Sequence, residues 1–313
     1  MVARVVRRIV ALLAVLLIAA TVAYFVRNPE RETLDATARA GADGKFVSLA
    51  DGVTHYDVSG PDTGRVAVLV HGFSVPYYIW DSTAVHLSNA GYRVIRYDVY
   101  GRGLSDRPDV VYNGALYDRQ LAGLLDSLHV TQPVDLMGLS YGGFVTGHFV
   151  ATHPTRVRTL TLMNPVASSS AVPSFMRMPV IGNWMWQTLR APDAAKGQPS
   201  DFLHPEQFPG WVERYEPQMR YRGFGRALRR SAIFTSTVNF ADHYAAVGKT
   251  GVPTMLVWGK QDSTVSIALS PVVRNTIPGI EYVVVDSAGH LPAMEQSALV
   301  HEKLLAFLAR HPR

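Results

Sequence analysis

Residues 134–143, VDLMGLSYGG, carry an apolar β-branched run into an apolar helix through the pentapeptide Gly138-Leu139-Ser140-Tyr141-Gly142, a G-x-S-x-G pattern. A nucleophile on a tight strand-to-helix turn needs small residues two before and two after it, because larger side chains would strike the neighbouring strand and helix. Gly138 and Gly142 meet that need. The turn lifts the Ser140 hydroxyl to the N-terminus of the next helix, where the helix dipole favours developing negative charge. A serine hydroxyl is a poor nucleophile at neutral pH without an adjacent base and a third group to orient that base. An acid and then a histidine stand ready after two later strands: Asp262 in LVWGKQDSTV and His290 in VVVDSAGHLPAMEQ. The rival acids are weaker, since Asp286 lies only four residues before His290 and Asn164, after the preceding strand, has no charge to offer. His148 and His153 fall on or at the end of the helix after Ser140 and read as packing or capping residues, with His243 beside Asp242 held in reserve.

A tetrahedral intermediate also needs hydrogen-bond donors aimed at its oxyanion, and losing one raises the barrier by about 3–4 kcal/mol. The loop His71-Gly72-Phe73-Ser74 follows the apolar run 66–70, so the backbone N–H groups of Phe73 and Tyr141 are the candidate donors, and Gly72 lets the chain turn toward the site. This chemistry asks for no metal and no cofactor. The chain has no cysteine, which removes a thiol nucleophile and any thiolate metal site and leaves serine in the role.

These residues must be positioned by a regular scaffold, and the 313-residue chain is long enough for one large α/β unit. Short β-branched runs recur at 46–49, 53–58, 66–70, 94–97, 134–137, 159–163, 254–258 and 282–285, with helical stretches at 79–89, 116–128, 141–152 and 292–310. Runs such as VAVLV and TLTLM are too continuously apolar to be half-exposed, which places them in a central sheet covered on both faces. The alternation predicts an α/β doubly wound sheet. It breaks between Pro165 and about Val247, a stretch rich in Pro, aromatic residues, Met and Arg that reads as an inserted helical lid. The expected organisation is an N-terminal membrane anchor or uncleaved signal at 1–26, a polar linker at 27–44, a catalytic core at 45–165 and 248–313, and the lid at 166–247.

From Ile9 to Val26 the sequence runs 18 residues without a charge, behind Arg4, Arg7 and Arg8. At about 1.5 Å per residue such a helix is roughly 27 Å long, just enough for a hydrocarbon core of about 30 Å. A single span through residues 9–26 is preferred over a cleavable signal, because the stretch exceeds a usual signal h-region and Thr21-Val22-Ala23 is a poor cleavage site. The positive-inside bias puts the N-terminus in the cytoplasm and the catalytic body outside it. The positive charge behind the net +5 is concentrated in this segment, with five Arg against two Glu in residues 1–32, and in the tract 211–230, with six Arg against two Glu, while the rest of the chain is slightly acidic. So local a distribution argues against a nucleic-acid partner. Oligomeric state is not legible.

HGFS, the DVYGRGLSDRP segment from Asp98 to Pro108, GLSYGG, WGKQDSTV and SAGHLPAMEQ, taken together and in order, resemble the α/β-hydrolase fold family and specifically its lid-bearing serine hydrolases. The resemblance spans about Lys45 to Arg310. It implies an eight-stranded, mostly parallel sheet, a Ser140–Asp262–His290 triad, a lid over the site, and a structural role for the loop Asp98 to Ser105. An N-terminal span on such a body is similar to membrane-anchored monoacylglycerol lipases. Haloalkane dehalogenases and epoxide hydrolases of this fold use aspartate at the elbow, and proline iminopeptidases usually show G-G-S-W-G, so Ser140 within GLSYG argues against all three. The expected activity is hydrolysis of carboxylic esters of apolar acyl substrates, small or lipid, with Trp184, Trp186 and Trp211 of the lid as possible pocket residues. A carbon–carbon bond hydrolase or perhydrolase would use the same triad. Readings of another class are a non-catalytic scaffold, or a membrane-tethered module whose Arg226, Arg229 and Arg230 dock on anionic headgroups.

Overall fold

The computed structural model describes residues 1–312. Eight strands, β1 (Lys45–Leu49), β2 (Gly52–Ser59), β3 (Arg65–Val70), β4 (Tyr92–Tyr97), β5 (Val134–Leu139), β6 (Val157–Met163), β7 (Thr254–Gly259) and β8 (Glu281–Val285), form one sheet in the order β1-β2-β4-β3-β5-β6-β7-β8. The pairs β1–β2 and β2–β4 are antiparallel and all others parallel. All eight predicted runs are strands, mostly a residue or two longer than the pattern suggested. The reversal from β4 back to β3 and on to β5 opens a crevice at the carboxyl ends of the central strands, where the loops bearing His71 and Ser140 emerge.

Both faces of the sheet are buried, as the apolar runs require. Val68, Val70 and Leu136 pack under helices α3 (Gly114–Ser127), α4 (Tyr141–Thr152) and α6 (Phe240–Gly248), while Ala67, Leu69, Met137 and Leu139 pack under α2 (Asp81–Asn89) and α7 (Ser297–Arg310). Each fully buried Val or Leu contributes about 1.5–3 kcal/mol, so the two layers fix the register of the central strands. The predicted helix 292–310 is broken instead at Gln296, whose backbone is non-helical at φ −127° and ψ 51°. Its side-chain Nε2 donates to Ser287 O at 2.9 Å, and the Glu295 carboxylate accepts from Gly289 N at 2.7 Å and Leu203 N at 2.6 Å. The break turns both residues back to brace the 286–290 loop.

Between β6 and β7 the chain makes short helical turns, α5 (Phe224–Thr235) and α6, which together form a helical insert. The insert shares a core with the sheet through Phe202, Trp211, Tyr215, Phe224 and Leu228. The N-terminal helix α1 (Val2–Arg27) leaves residues 1–19 exposed, and only Ala20, Ala23 and Tyr24, on one face of its last turns, are partly covered by the insert. Residues 27–44 are not a free linker. Glu30 accepts from Gly223 N at 2.5 Å and Gly225 N at 2.6 Å, capping the start of α5, and Glu32 exchanges backbone hydrogen bonds with Arg220 and Arg222 at 3.0 and 2.9 Å. The Arg-rich tract is likewise spent internally. Arg214 pairs with Asp81, Arg226 and Arg230 with Asp109, and Arg229 donates to the carbonyls of Met176 and Met178. That pairing tells against a headgroup-docking role for Arg226, Arg229 and Arg230.

Candidate active site

Ser140 sits between β5 and α4 at φ 53° and ψ −116°, a conformation that L-residues rarely adopt and that a surrounding structure must enforce. Three hydrogen bonds enforce it: Ser140 N donates to Met163 O at 2.9 Å, while Ser140 O accepts from Gly143 N at 2.9 Å and Val166 N at 3.1 Å. The flanking glycines are obligatory. A β-carbon on Gly138 would lie 2.4 Å from Gly142 O, and one on Gly142 would lie 2.3 Å from Val70 O. Gly72 is looser, since its β-carbon would meet Ser140 Cβ at 3.4 Å, so its place is close approach to the serine rather than a backbone constraint.

His290 and Asp262, only 4% and 6% exposed, are brought together by the loops after β8 and β7. His290 Nδ1–H donates to Asp262 Oδ2 at 2.8 Å, which leaves Nε2 as the basic nitrogen. Asn164 Nδ2 donates to the same oxygen at 2.5 Å, and Asp262 Oδ1 accepts from Thr264 N at 2.9 Å and Val265 N at 2.8 Å. Asp262 thus meets donors on every side and acts as an acceptor only. Burial alone would push the His290 pKa down, but the hydrogen bond and charge of Asp262, helped by Asp201 and Glu295, outweigh it and raise the pKa above the ordinary value near 6.5. Asp286, the rival acid, is exposed and pairs with Lys260 at 2.7 Å.

Ser140 and His290 line one cavity of about 240 Å³ with Gly72, Phe73, Asp201 and Thr264. Val75, Ile79, Leu139 and Leu291 supply its apolar wall, and among the described residues neither lysine nor arginine lines it. Neither the Phe73 nor the Tyr141 amide finds an acceptor among the described residues, so both donors are free beside the serine. The loop carrying Phe73 is held from below by Arg102, which is fully buried. Its Nε donates to Phe73 O at 2.7 Å, Nη1 to Tyr117 Oη at 2.9 Å and Nη2 to Ser231 Oγ of α5 at 2.9 Å. The same guanidinium lies 5.3 Å from the Phe73 ring centroid and 5.5 Å from that of Tyr141. His71 steadies the loop start by accepting from Val99 N at 2.9 Å, and burial lowers its pKa to about 4, so it stays neutral.

The structure corrects the expectation for the three tryptophans, none of which lines this cavity. Trp184 turns the other way and donates from Nε1 to Ala20 O of α1 at 2.9 Å. Trp186 lies on the turn that packs against α1, and Trp211 is buried edge-on against Tyr78 and Phe202. Aromatic type alone does not distinguish a pocket wall from the insert's own core. His243 packs on Phe144, and burial takes its pKa down to about 4. His153 pairs with Asp118 at 2.9 Å.

Three supporting residues had no sequence signal strong enough to single them out. Asn164 has no charge with which to serve as the acid, yet it holds both Asp262 and, through Oδ1, Gly259 N at 3.2 Å. Asp201, inside the insert, accepts from His290 N through its carbonyl at 2.8 Å and from Thr264 Oγ1 through its carboxylate at 2.7 Å, and burial raises its own pKa. Arg102 lies in the loop after β4, whose structural role the hydrogen bonds bear out.

A serine on an enforced turn, facing a cavity that it shares with a histidine–aspartate pair at the strand ends of an α/β sheet, defines a class of hydrolase. The sequence pattern of the alpha/beta hydrolase fold matches residues 66–297, and the chain belongs to that family. A 2-hydroxy-6-oxononadienedioate/2-hydroxy-6-oxononatrienedioate hydrolase of Paraburkholderia phymatum is 27% identical over 293 residues, covering 88% of this chain and 98% of the relative. A pimeloyl-acyl-carrier-protein methyl ester esterase of Neisseria meningitidis is 25% identical over 242 residues, covering 76% and 74%. A solved structure described as a membrane phospholipase A and bacterial virulence factor superposes with a TM-score of 0.69 at 22% identity, covering 98% of this chain and 99% of its own.

Proposed function

We propose that the protein is a membrane-anchored serine hydrolase that cleaves carboxylic esters of apolar acyl groups. The observation that carries this reading is the shared cavity of Ser140 and His290, with Asp262 behind the histidine and an apolar wall without a cation. His290 Nε2 takes the Ser140 proton as Oγ attacks the ester carbonyl, and the Phe73 and Tyr141 amides receive the oxyanion. His290 then gives that proton to the departing alkoxide, leaving an acyl-serine and an alcohol. Water, deprotonated by the same histidine, releases the acid and restores the serine. The carbon–carbon hydrolase relative is named for dioate substrates, whose carboxylates call for a cationic partner. Asp201 is the one acidic side chain among the described residues of this cavity wall and no cation faces the cavity, which favours a neutral ester. A volume of about 240 Å³ is below the ~300–1,000 Å³ of drug-sized ligand sites, so short acyl groups should turn over fastest.

The anchor reading rests on α1, a helix long and apolar enough to cross a membrane and without a buried residue, and on the coverage of α1 by the membrane phospholipase likeness. In this reading the catalytic body lies outside the cytoplasm. The test is a panel of short p-nitrophenyl esters, monoacylglycerols, long-chain triglycerides and a 2-hydroxy-6-oxo-dienedioate, offered to full-length protein in detergent. Ester turnover that Ser140→Ala abolishes is expected. Turnover of the dioate alone would transfer the site to carbon–carbon cleavage.

A further inference from the structure

We infer that the apolar side chains of the insert segment 174–190 are themselves seated in the lipid bilayer, beside the C-terminal end of the anchor, while the exposed Arg177 and Arg190 of the same segment reach out to the headgroups. The inference builds on the anchor reading above and follows from where the insert grips α1. The Trp184 indole donates to the carbonyl of Ala20 at 2.9 Å, and residues 186–190 pack on the same helix. Ala20 lies inside the apolar run. If the insert held residues 20–26 out of the membrane, only Ile9 to Ala19 would remain, 11 residues or about 16 Å, against a hydrocarbon core of about 30 Å. Sliding the span toward the N-terminus brings no relief, because it would carry Arg4, Arg7 and Arg8 into hydrocarbon. The run from Ile9 to Val26 is barely sufficient when all of it is used, so the level of Ala20 must lie within the bilayer, roughly 9 Å below that of Val26. Whatever touches Ala20 lies there too.

The insert's surface is built for that environment. Val180 is 80% exposed, and Phe175, Met178, Ile181 and Leu189 are between 46% and 51% exposed, all within the stretch 175–189 around Trp184. An apolar patch of this kind on a soluble surface marks an interaction site. A depth of 5–10 Å is where interfacial helices bury their apolar faces. Polar groups mark the water side. Arg27, at the end of α1, pairs with Asp193 at 2.6 Å and donates to Thr188 O at 3.2 Å, which puts the charged rim of the insert level with the end of the span. The chain then runs directly from this embedded segment to Gly197, Gln198 and Asp201 on the cavity wall. The site therefore opens from an element rooted at the membrane interface, and esters that partition there are the substrates it meets first.

The chain has no native cysteine, so single cysteines give unique labels. Leu13→Cys, Val180→Cys, Leu189→Cys and, on the body, Val85→Cys would each carry a nitroxide in full-length protein reconstituted into phosphatidylcholine–phosphatidylglycerol vesicles, all four positions being solvent-facing in the folded chain. Collision with oxygen and with a water-soluble nickel chelate reports depth. Positions 13, 180 and 189 should show the high oxygen and low nickel accessibility of hydrocarbon, and position 85 the reverse. Position 13 in the bilayer with 180 and 189 in water would overturn the inference and leave the anchor intact. All four in water would overturn both. Protection of 180 from both reagents, with dipolar broadening between labels, would assign the patch to a second copy of the chain and also overturn it. Fluorophosphonate labelling of Ser140 in the same samples reports the catalytic reading independently.

Discussion

Replacing Asp262 by Asn should abolish nearly all turnover while leaving the fold in place. The carboxylate faces four N–H donors, from His290, Asn164, Thr264 and Val265, and it is their only common acceptor. An asparagine must present its NH₂ to one pair of them. Turned toward His290, it would demand an acceptor at Nδ1 and so push the imidazole proton to Nε2, the nitrogen that has to take the serine proton. Turned toward Thr264 and Val265, it sets donors against two backbone amides and costs about 1–3 kcal/mol for the groups left unpaired. The first arrangement spares the backbone amides, so the wrong tautomer should dominate. The expected loss is roughly 10³–10⁴-fold in kcat, about 4–5.5 kcal/mol in the barrier, with KM for a short p-nitrophenyl ester changed little. Asp286→Asn is the control, since that residue lies exposed against Lys260, and should change kcat less than about twofold. Initial rates normalised to folded protein decide the matter. An Asp262→Asn enzyme retaining more than about a tenth of wild-type kcat would refute the assignment of the acid.

Further outcomes follow from the same geometry. Because His290 must be neutral to act and its pKa is raised, kcat/KM should fall on the acid side with a midpoint above 6.5; a profile flat from pH 5 to 9 would contradict this. Asp201→Asn removes one of the charges holding that pKa up, so the acid limb should move to lower pH, and a limb that stays in place or moves up would remove Asp201 from the electrostatics of the site. Gly142→Ala forces a β-carbon to 2.3 Å from Val70 O, so expression of folded protein or turnover should collapse, and a fully active variant would mean that the turn is not under the constraint described. Glu30→Ala strips two amides at the start of α5 of their acceptor and should cost about 1–2 kcal/mol in denaturant unfolding, with no change expected if the 27–44 segment were a free linker.

Much of this was legible because the local rules and the global fold agree. The continuous apolar runs announced buried parallel strands, and the glycine spacing around Ser140 announced a turn that the φ of 53° confirms. Loops immediately after strands could be aligned with one end of the sheet before any geometry was known. What stayed hidden depends on contacts between distant segments. Asn164 and Asp262 are 98 residues apart and Arg102 and Ser231 are 129 apart, and no periodicity links them. The insert was legible as helical but not in its detail. Its tryptophans serve packing and the grip on α1, and its Arg214, Arg220, Arg226 and Arg230 close ion pairs with residues outside it, neither of which composition reveals.

The measurement that bears most directly on the whole account is covalent labelling of the full-length protein with a fluorophosphonate, followed by peptide mass spectrometry and repeated with Ser140→Ala and His290→Gln. A single adduct on the peptide bearing Ser140, lost in Ser140→Ala and strongly slowed in His290→Gln, is the result the account predicts. An adduct on another serine, or labelling undiminished in Ser140→Ala, would contradict it.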